Sequence, residues 1–170
     1  MKRRIAIGAM IIVCLFLDNT FFVKLNINFI RPDVVLSLCI CLGLYMGALP
    51  AVIIGIAFGF ILDVMFSPML GISAIGYMLA AITGSTFHKK YYADNPIIPS
   101  LASFFACIVK HNIYILACVI RRVSIPYFSM LFKYVIPCAL ATAIICVPMF
   151  YINKSIFVEK LKPIKLPVKD

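Results

Sequence analysis

The sequence predicts an all-α membrane protein, a compact bundle of about six transmembrane helices. Three observations carry this expectation. Of the 170 residues, 64% are hydrophobic and only 13% are charged, with a mean hydropathy of +1.10. Soluble domains hold about 25% charged and about 45–50% apolar residues, so water could not solvate the surface this chain would present. Apolar runs near the ~20 residues that a spanning helix needs recur along the chain, parted by short polar or proline-containing breaks. Basic residues gather in those breaks and at the two ends, which is the pattern of topology signals.

The first span, residues 5–23, follows Met1-Lys2-Arg3-Arg4. A basic start before an apolar run also opens a secretory signal. Here no small-x-small cleavage site follows and Asp18-Asn19-Thr20 interrupts the run, so a retained span is expected. From Asp33 to Phe66 the chain is almost unbroken apolar sequence. As one helix those residues would reach about 50 Å, too long for a ~30 Å hydrocarbon core. Gly47 and Pro50 supply the break, giving spans at 33–47 and 50–66. Ser67-Pro68 turns the chain into a fourth span at 71–87, which the polar stretch from His88 to Pro96 ends. A fifth, 97–119, carries Lys110-His111-Asn112 in its interior. Arg121-Arg122 and Pro126 mark the next loop, and 130–152 is the sixth. Residues 1–153 thus form one six-span domain, and 154–170 a basic tail.

The net charge of +10 could suggest nucleic acid. Its carriers sit between apolar runs without a recognisable nucleic-acid motif, so membrane lipid is the expected partner and nucleic acid is not. Each tail lysine near an anionic surface contributes about 1 kcal/mol. Six spans leave both ends on one side. The N-terminus, the 88–96 segment and the tail hold ten Lys and Arg (3 + 2 + 5), against four (2 + 2) in the 24–32 and 120–129 loops. Both termini are therefore expected in the cytoplasm. Tyr45, Tyr91, Tyr92, Tyr127 and Tyr151 lie near span ends as interfacial anchors.

Chemistry-bearing motifs are sparse. All seven cysteines fall in apolar runs, no Cys-x-x-Cys occurs, and Cys39 and Cys41 point about 200° apart on a helix. No histidine is taken to lie at ligand spacing from a cysteine. The cysteines read as small packing residues, and neither a metal nor another cofactor is expected. His-Glu-x-x-His, Gly-x-Ser-x-Gly, phosphate-loop and paired-carboxylate patterns are missing from the sequence, so no catalytic residue is assigned.

Two features remain. Ala51, Gly55, Gly59 and Asp63 repeat every four residues, as do Gly76, Ala80, Gly84 and His88. Each set shares a helix face, and small residues let helices approach closely where lipid supplies no hydrophobic drive. Packing of the third span on the fourth is expected, with a partner helix as the alternative. The second feature is charge inside spans, which is costly enough to suggest function. Asp18, Asp63 and Lys110 each lie 13 residues into an outward-running span, about 20 Å up at 1.5 Å per residue. They predict a polar layer of Asp18, Asp63, Lys110 and His111 facing the bundle interior. Outer-interface snorkelling of the two aspartates is the competing expectation.

The segment Phe29-Ile-Arg31-Pro32-Asp33-Val-Val-Leu, followed by Gly55-x-x-x-Gly59-x-x-x-Asp63 and then Gly71, resembles the rod shape-determining protein MreD family. The match of motifs covers about residues 29–84. It implies a structural or partner-facing role for Arg31, Pro32, Asp33, Gly55, Gly59, Asp63 and Gly71. It also implies a fold similar to the substrate-binding subunits of energy-coupling-factor transporters. The resemblance further implies a bacterial inner-membrane, non-catalytic scaffold of cell-wall elongation. Its partners would be an MreC-like protein, a RodA-like glycosyltransferase, a class B penicillin-binding protein and an MreB-like filament. The alternative reading is a substrate-binding membrane subunit of an energy-coupling-factor-type vitamin transporter.

Overall fold

Val34 opens the first helix described in full, because the residue before it can cap it: the Asp33 side chain accepts from the Leu36 amide. The computed structural model describes residues 31–66, 70–88, 95–122 and 127–158, together with 8, 10, 12–14, 16 and 18. Helix α1 spans Val34–Met46, α2 Ala48–Phe66, α3 Ile72–Ser85 and α4 Ile97–Ile120. A short α5, Tyr127–Met130, runs through a π-helical segment, Leu131–Val135, into α6, Ile136–Val158. Among the described residues there are no strands, and the all-α bundle expected of the sequence is the fold. Three helical stretches are long and apolar enough to cross a membrane, namely α2, α4 and Tyr127–Ser155, while α1 and α3 are shorter apolar helices.

The boundaries follow local chemistry. Gly47, with φ of +86°, breaks α1 from α2 on its own. Pro50 does not mark the start of the next span as expected. It sits in the first turn of α2, where its missing N–H is harmless. Pro137 forces a larger adjustment, since its ring has no amide to offer and opposes the carbonyl four residues back, in the π-helical segment. Helix α6 then continues to Val158, beyond residue 152, so Lys154 lies on the helix. The remaining tail and most of the first span lie outside the described residues, as do Tyr91 and Tyr92. Residues 8, 10, 12–14 and 16 are helical, and Cys14 is buried.

Helix α1 is the centre of the bundle. From Val34 to Leu44 every residue is buried, and the helix packs on α2, α3, α4 and α6. Around it the other helices turn large apolar side chains outward, among them Ile53, Phe60, Phe105, Phe132 and Ile144. In a membrane these meet lipid rather than water.

The two small-residue stripes have different partners. The first joins α2 to α3: a Cβ on Gly55 would lie 2.9 Å from the Tyr77 carbonyl oxygen, and one on Gly59 would collide with the Ala74 backbone. The second does not return the contact. Gly84 lies against the Ile40 backbone of α1, and Gly76 lies against the side chain of Lys110 on α4. Helix α3 is therefore packed on several faces, which a single stripe-on-stripe contact would not give.

Candidate functional site

The N-terminus of α1 is buried in the bundle, so its amides need partners there. All four first-turn amides have one. The Asp18 carboxylate accepts from Val34 N (2.9 Å) and Val35 N (3.1 Å). The Asp33 side chain accepts from Leu36 N (2.9 Å), and the Asp33 carbonyl from Ser37 N (3.3 Å). The Asp33 amide itself donates to Thr142 Oγ1 on α6 (3.0 Å). Two carboxylates at a helix N-terminus are also favoured by the positive end of its dipole.

That arrangement brings two negative groups into the interior, and α4 answers with a cation. Lys110 Nζ forms an ion pair with Asp33 Oδ2. It also donates to Tyr77 OH (2.8 Å), while Tyr77 OH donates to Asp33 Oδ1 (3.2 Å). A Cβ on Gly76 would stand 2.6 Å from Lys110 Cγ, so the missing side chain at 76 makes the slot through which the lysine stem passes. Asp33, Tyr77 and Lys110 come from three helices, and all are buried or nearly so. Loss of one partner from such a pair is costly because a desolvated charge is left behind.

The predicted layer is therefore redrawn. Asp18 and Lys110 both belong to this cluster, but Lys110 pairs with Asp33, and Asp63 lies elsewhere. Asp63 Oδ2 accepts from Gly71 N (2.8 Å) and Ser73 N (3.0 Å), capping α3. Equal depth along a helix says nothing about direction around it, and Asp63, one turn from the end of α2 at Phe66, reaches the amides that begin α3. Gly71 takes φ of +92° there, a conformation that favours glycine. The motif Gly55-x-x-x-Gly59-x-x-x-Asp63 with Gly71 thus builds one hairpin: the glycines admit α3, and the aspartate ties its start to α2. Tyr77 and Thr142 carried no signal of their own in the sequence.

His88 and His111 are also placed. His88 Nδ1 lies 2.7 Å from the Leu44 carbonyl, which can only accept, so Nδ1 carries the proton and joins α3 to the end of α1. His111 Nδ1 lies 2.9 Å from the Cys107 carbonyl of its own helix. Here the expectation about cysteines needs correction. Cys107 and His111 are four residues apart on one face of α4, and α6 brings Cys138 to them. The three side chains offer ligand atoms within 4.8 Å of one another. The Cys-x-x-x-His spacing was visible in the sequence, whereas Cys138 became a neighbour only by folding. A cavity of about 290 Å³ adjoins the group, lined by Arg31, His111, Tyr114, Tyr134 and Cys138 among others. Cys138 Sγ donates to the Arg31 carbonyl (2.6 Å), linking the Arg31-Pro32-Asp33 segment to α6.

No curated protein and no solved structure matches the chain, so the likeness to transporter substrate subunits gains no support. A family model does match, over residues 2–160, and its description is rod shape-determining protein MreD. The match reaches well beyond the motif region at 29–84 to include the first span and α4 to α6. An all-α membrane bundle with an Arg31-Pro32-Asp33 cap at its centre and a glycine-glycine-aspartate hairpin beside it, this chain belongs to the MreD family of rod shape-determining proteins.

Proposed function

We propose that this protein is a non-catalytic scaffold subunit of the rod-shape complex, supporting lateral peptidoglycan synthesis from the bacterial inner membrane with both termini in the cytoplasm. Its partners are an MreC-like protein, a RodA-like glycosyltransferase, a class B penicillin-binding protein and an MreB-like filament. The family match over residues 2–160 is the observation that carries this reading. The use made of the buried polar groups supports it. Asp18 and Asp33 cap α1, Asp63 caps α3, and Lys110 neutralises Asp33. Groups engaged in this way hold helices in register, as structural caps and a buried ion pair do. A scaffold needs that fixed outer surface.

Depletion of the protein in a rod-shaped host tests the reading. Cells are expected to round up, with lateral incorporation of a fluorescent wall precursor lost and the septal signal kept. The four partners are expected to co-purify from cross-linked membranes. Unchanged rod shape on depletion would overturn the role, and reporter tags on opposite sides of the membrane would overturn the topology.

A further inference from the structure

The Cys107, His111 and Cys138 group has a chemistry that the scaffold role does not use. The carbonyl of Cys107 can only accept a hydrogen bond, so the proton on His111 lies on Nδ1 and the lone pair is on Nε2. Nε2 lies 3.8 Å from Cys138 Sγ, and Cys107 Sγ lies 3.5 Å from the same imidazole at Nδ1. In a tetrahedral site with Zn–S of about 2.3 Å and Zn–N of about 2.0–2.1 Å, neighbouring ligand atoms stand roughly 3.5–3.8 Å apart. The Cys138–Nε2 pair already has that spacing, and Cys107, on the Nδ1 side of the ring, belongs to a set whose three residues hold a ligand atom each within 4.8 Å of one another. An imidazole that donates Nδ1–H to a backbone carbonyl and turns Nε2 inward is also the usual orientation of a metal-bound histidine.

We propose that Cys107 Sγ, Cys138 Sγ and His111 Nε2 form a binding site for a soft divalent cation of the zinc type, with a water from the adjoining cavity as fourth ligand. Charge balance selects the ion. The dication enters as two thiol protons leave, so the buried site is neutral before and after binding. A monovalent ion held by both thiolates would leave it negative. Thiolate and imidazole together favour zinc over hard cations such as magnesium or calcium. The cavity is lined by Arg31, His111 and Cys138, giving room for the water. That water can also donate to the Arg31 carbonyl once the Cys138 thiol no longer does. The π-helical segment Leu131–Val135, three residues before Cys138, widens α5–α6 at the cavity wall. The bound ion would clamp α4 to α6 beside the Lys110–Asp33 pair. This site is independent of the assembly role.

Untagged, reduced full-length protein in detergent, titrated with cobalt(II) in place of zinc, tests the proposal. One equivalent is expected to bind, with the thiolate-to-cobalt charge-transfer absorption and intense visible bands of a tetrahedral site. Zinc is expected to abolish them. Cys107→Ser, Cys138→Ser and His111→Ala should each weaken binding by more than the ~10–100-fold loss typical of an outer-shell partner. Cys118→Ser, a buried cysteine on α4 outside the group, should leave it unchanged. Because a variant can fail to fold, the wild-type protein supplies a second readout: zinc should slow maleimide labelling of Cys107 and Cys138, read by mass spectrometry, and leave Cys118 unaffected. Cobalt binding without thiolate absorption would overturn the site. So would signals that survive loss of both cysteines, or labelling unaffected by zinc.

Discussion

Helices α1 and α2 are almost equally apolar along their length, yet they occupy opposite positions. Every residue of α1 from Val34 to Leu44 is buried, whereas α2 buries Ala51, Gly55, Phe58, Gly59 and Asp63 and leaves Leu49, Ile53, Phe60, Val64 and Met65 exposed. In water such composition would place both in the core. In lipid, apolarity marks only the solvent, and the face of a helix that meets protein is marked by small residues and polar anchors. Helix α1 is central because its N-terminal amides are held by Asp18 and Asp33 and its flank admits Gly84. Helix α2 is peripheral because only one stripe of it is buried, against α3 and α1.

The sharpest way to break this comparison is at the charge held by α1. Lys110→Met should destabilise the protein by about 3–5 kcal/mol, because Asp33 keeps a buried charge without a partner. Adding Asp33→Asn should recover more than half of that loss, since the amide oxygen can still cap Leu36. Denaturant unfolding in detergent measures both, and a Lys110→Met loss below about 1 kcal/mol would mean that α1 is not enclosed. Exchanging charges between Lys110 and Asp63 should restore nothing, as they bond in different places.

Next in size are the contact stripes. Gly59→Leu or Gly84→Leu should cost at least the ~1–3 kcal/mol typical of overpacking, because each added Cβ meets backbone. Val64→Leu on the outer face of α2 should stay within ~0.5 kcal/mol by the same measurement. Equal effects at Gly59 and Val64 would erase the distinction between the two faces. Asp63→Ala removes the cap on α3 and should cost about 0.5–2 kcal/mol, with Asp63→Asn milder. Gly71→Ala should cost about 1 kcal/mol from the positive φ alone, because the space around a Cβ there is open. Thermal unfolding in detergent can rank these two variants.

The helical class, the break at Gly47, the span start near Gly71 and the stripe on α2 could be read directly from residue types, whereas the turn expected at Ser67-Pro68 lies outside the described residues. Part of the buried cluster could also be read, since aspartate and lysine inside apolar runs stand out. What composition and depth could not supply was azimuth. The sequence sets the height of Lys110, but its choice of Asp33 over Asp63 depends on which way α4 faces. Asp33 reads as a helix start, and its pairing with Lys110 arises only where the beginning of α1 meets the middle of α4. Tyr77, Thr142 and Cys138 are ordinary residues until three helices converge.

The slot at Gly76 carries a consequence for how this sequence can drift. A methyl group there would stand 2.6 Å from Lys110 Cγ, so the stem must shift and its hold on the acid at the head of α1 loosens, which ties the residue at 76 to the one at 110. Bulk at 76 is therefore expected to be tolerated only where 110 has already shortened and 33 has lost its charge.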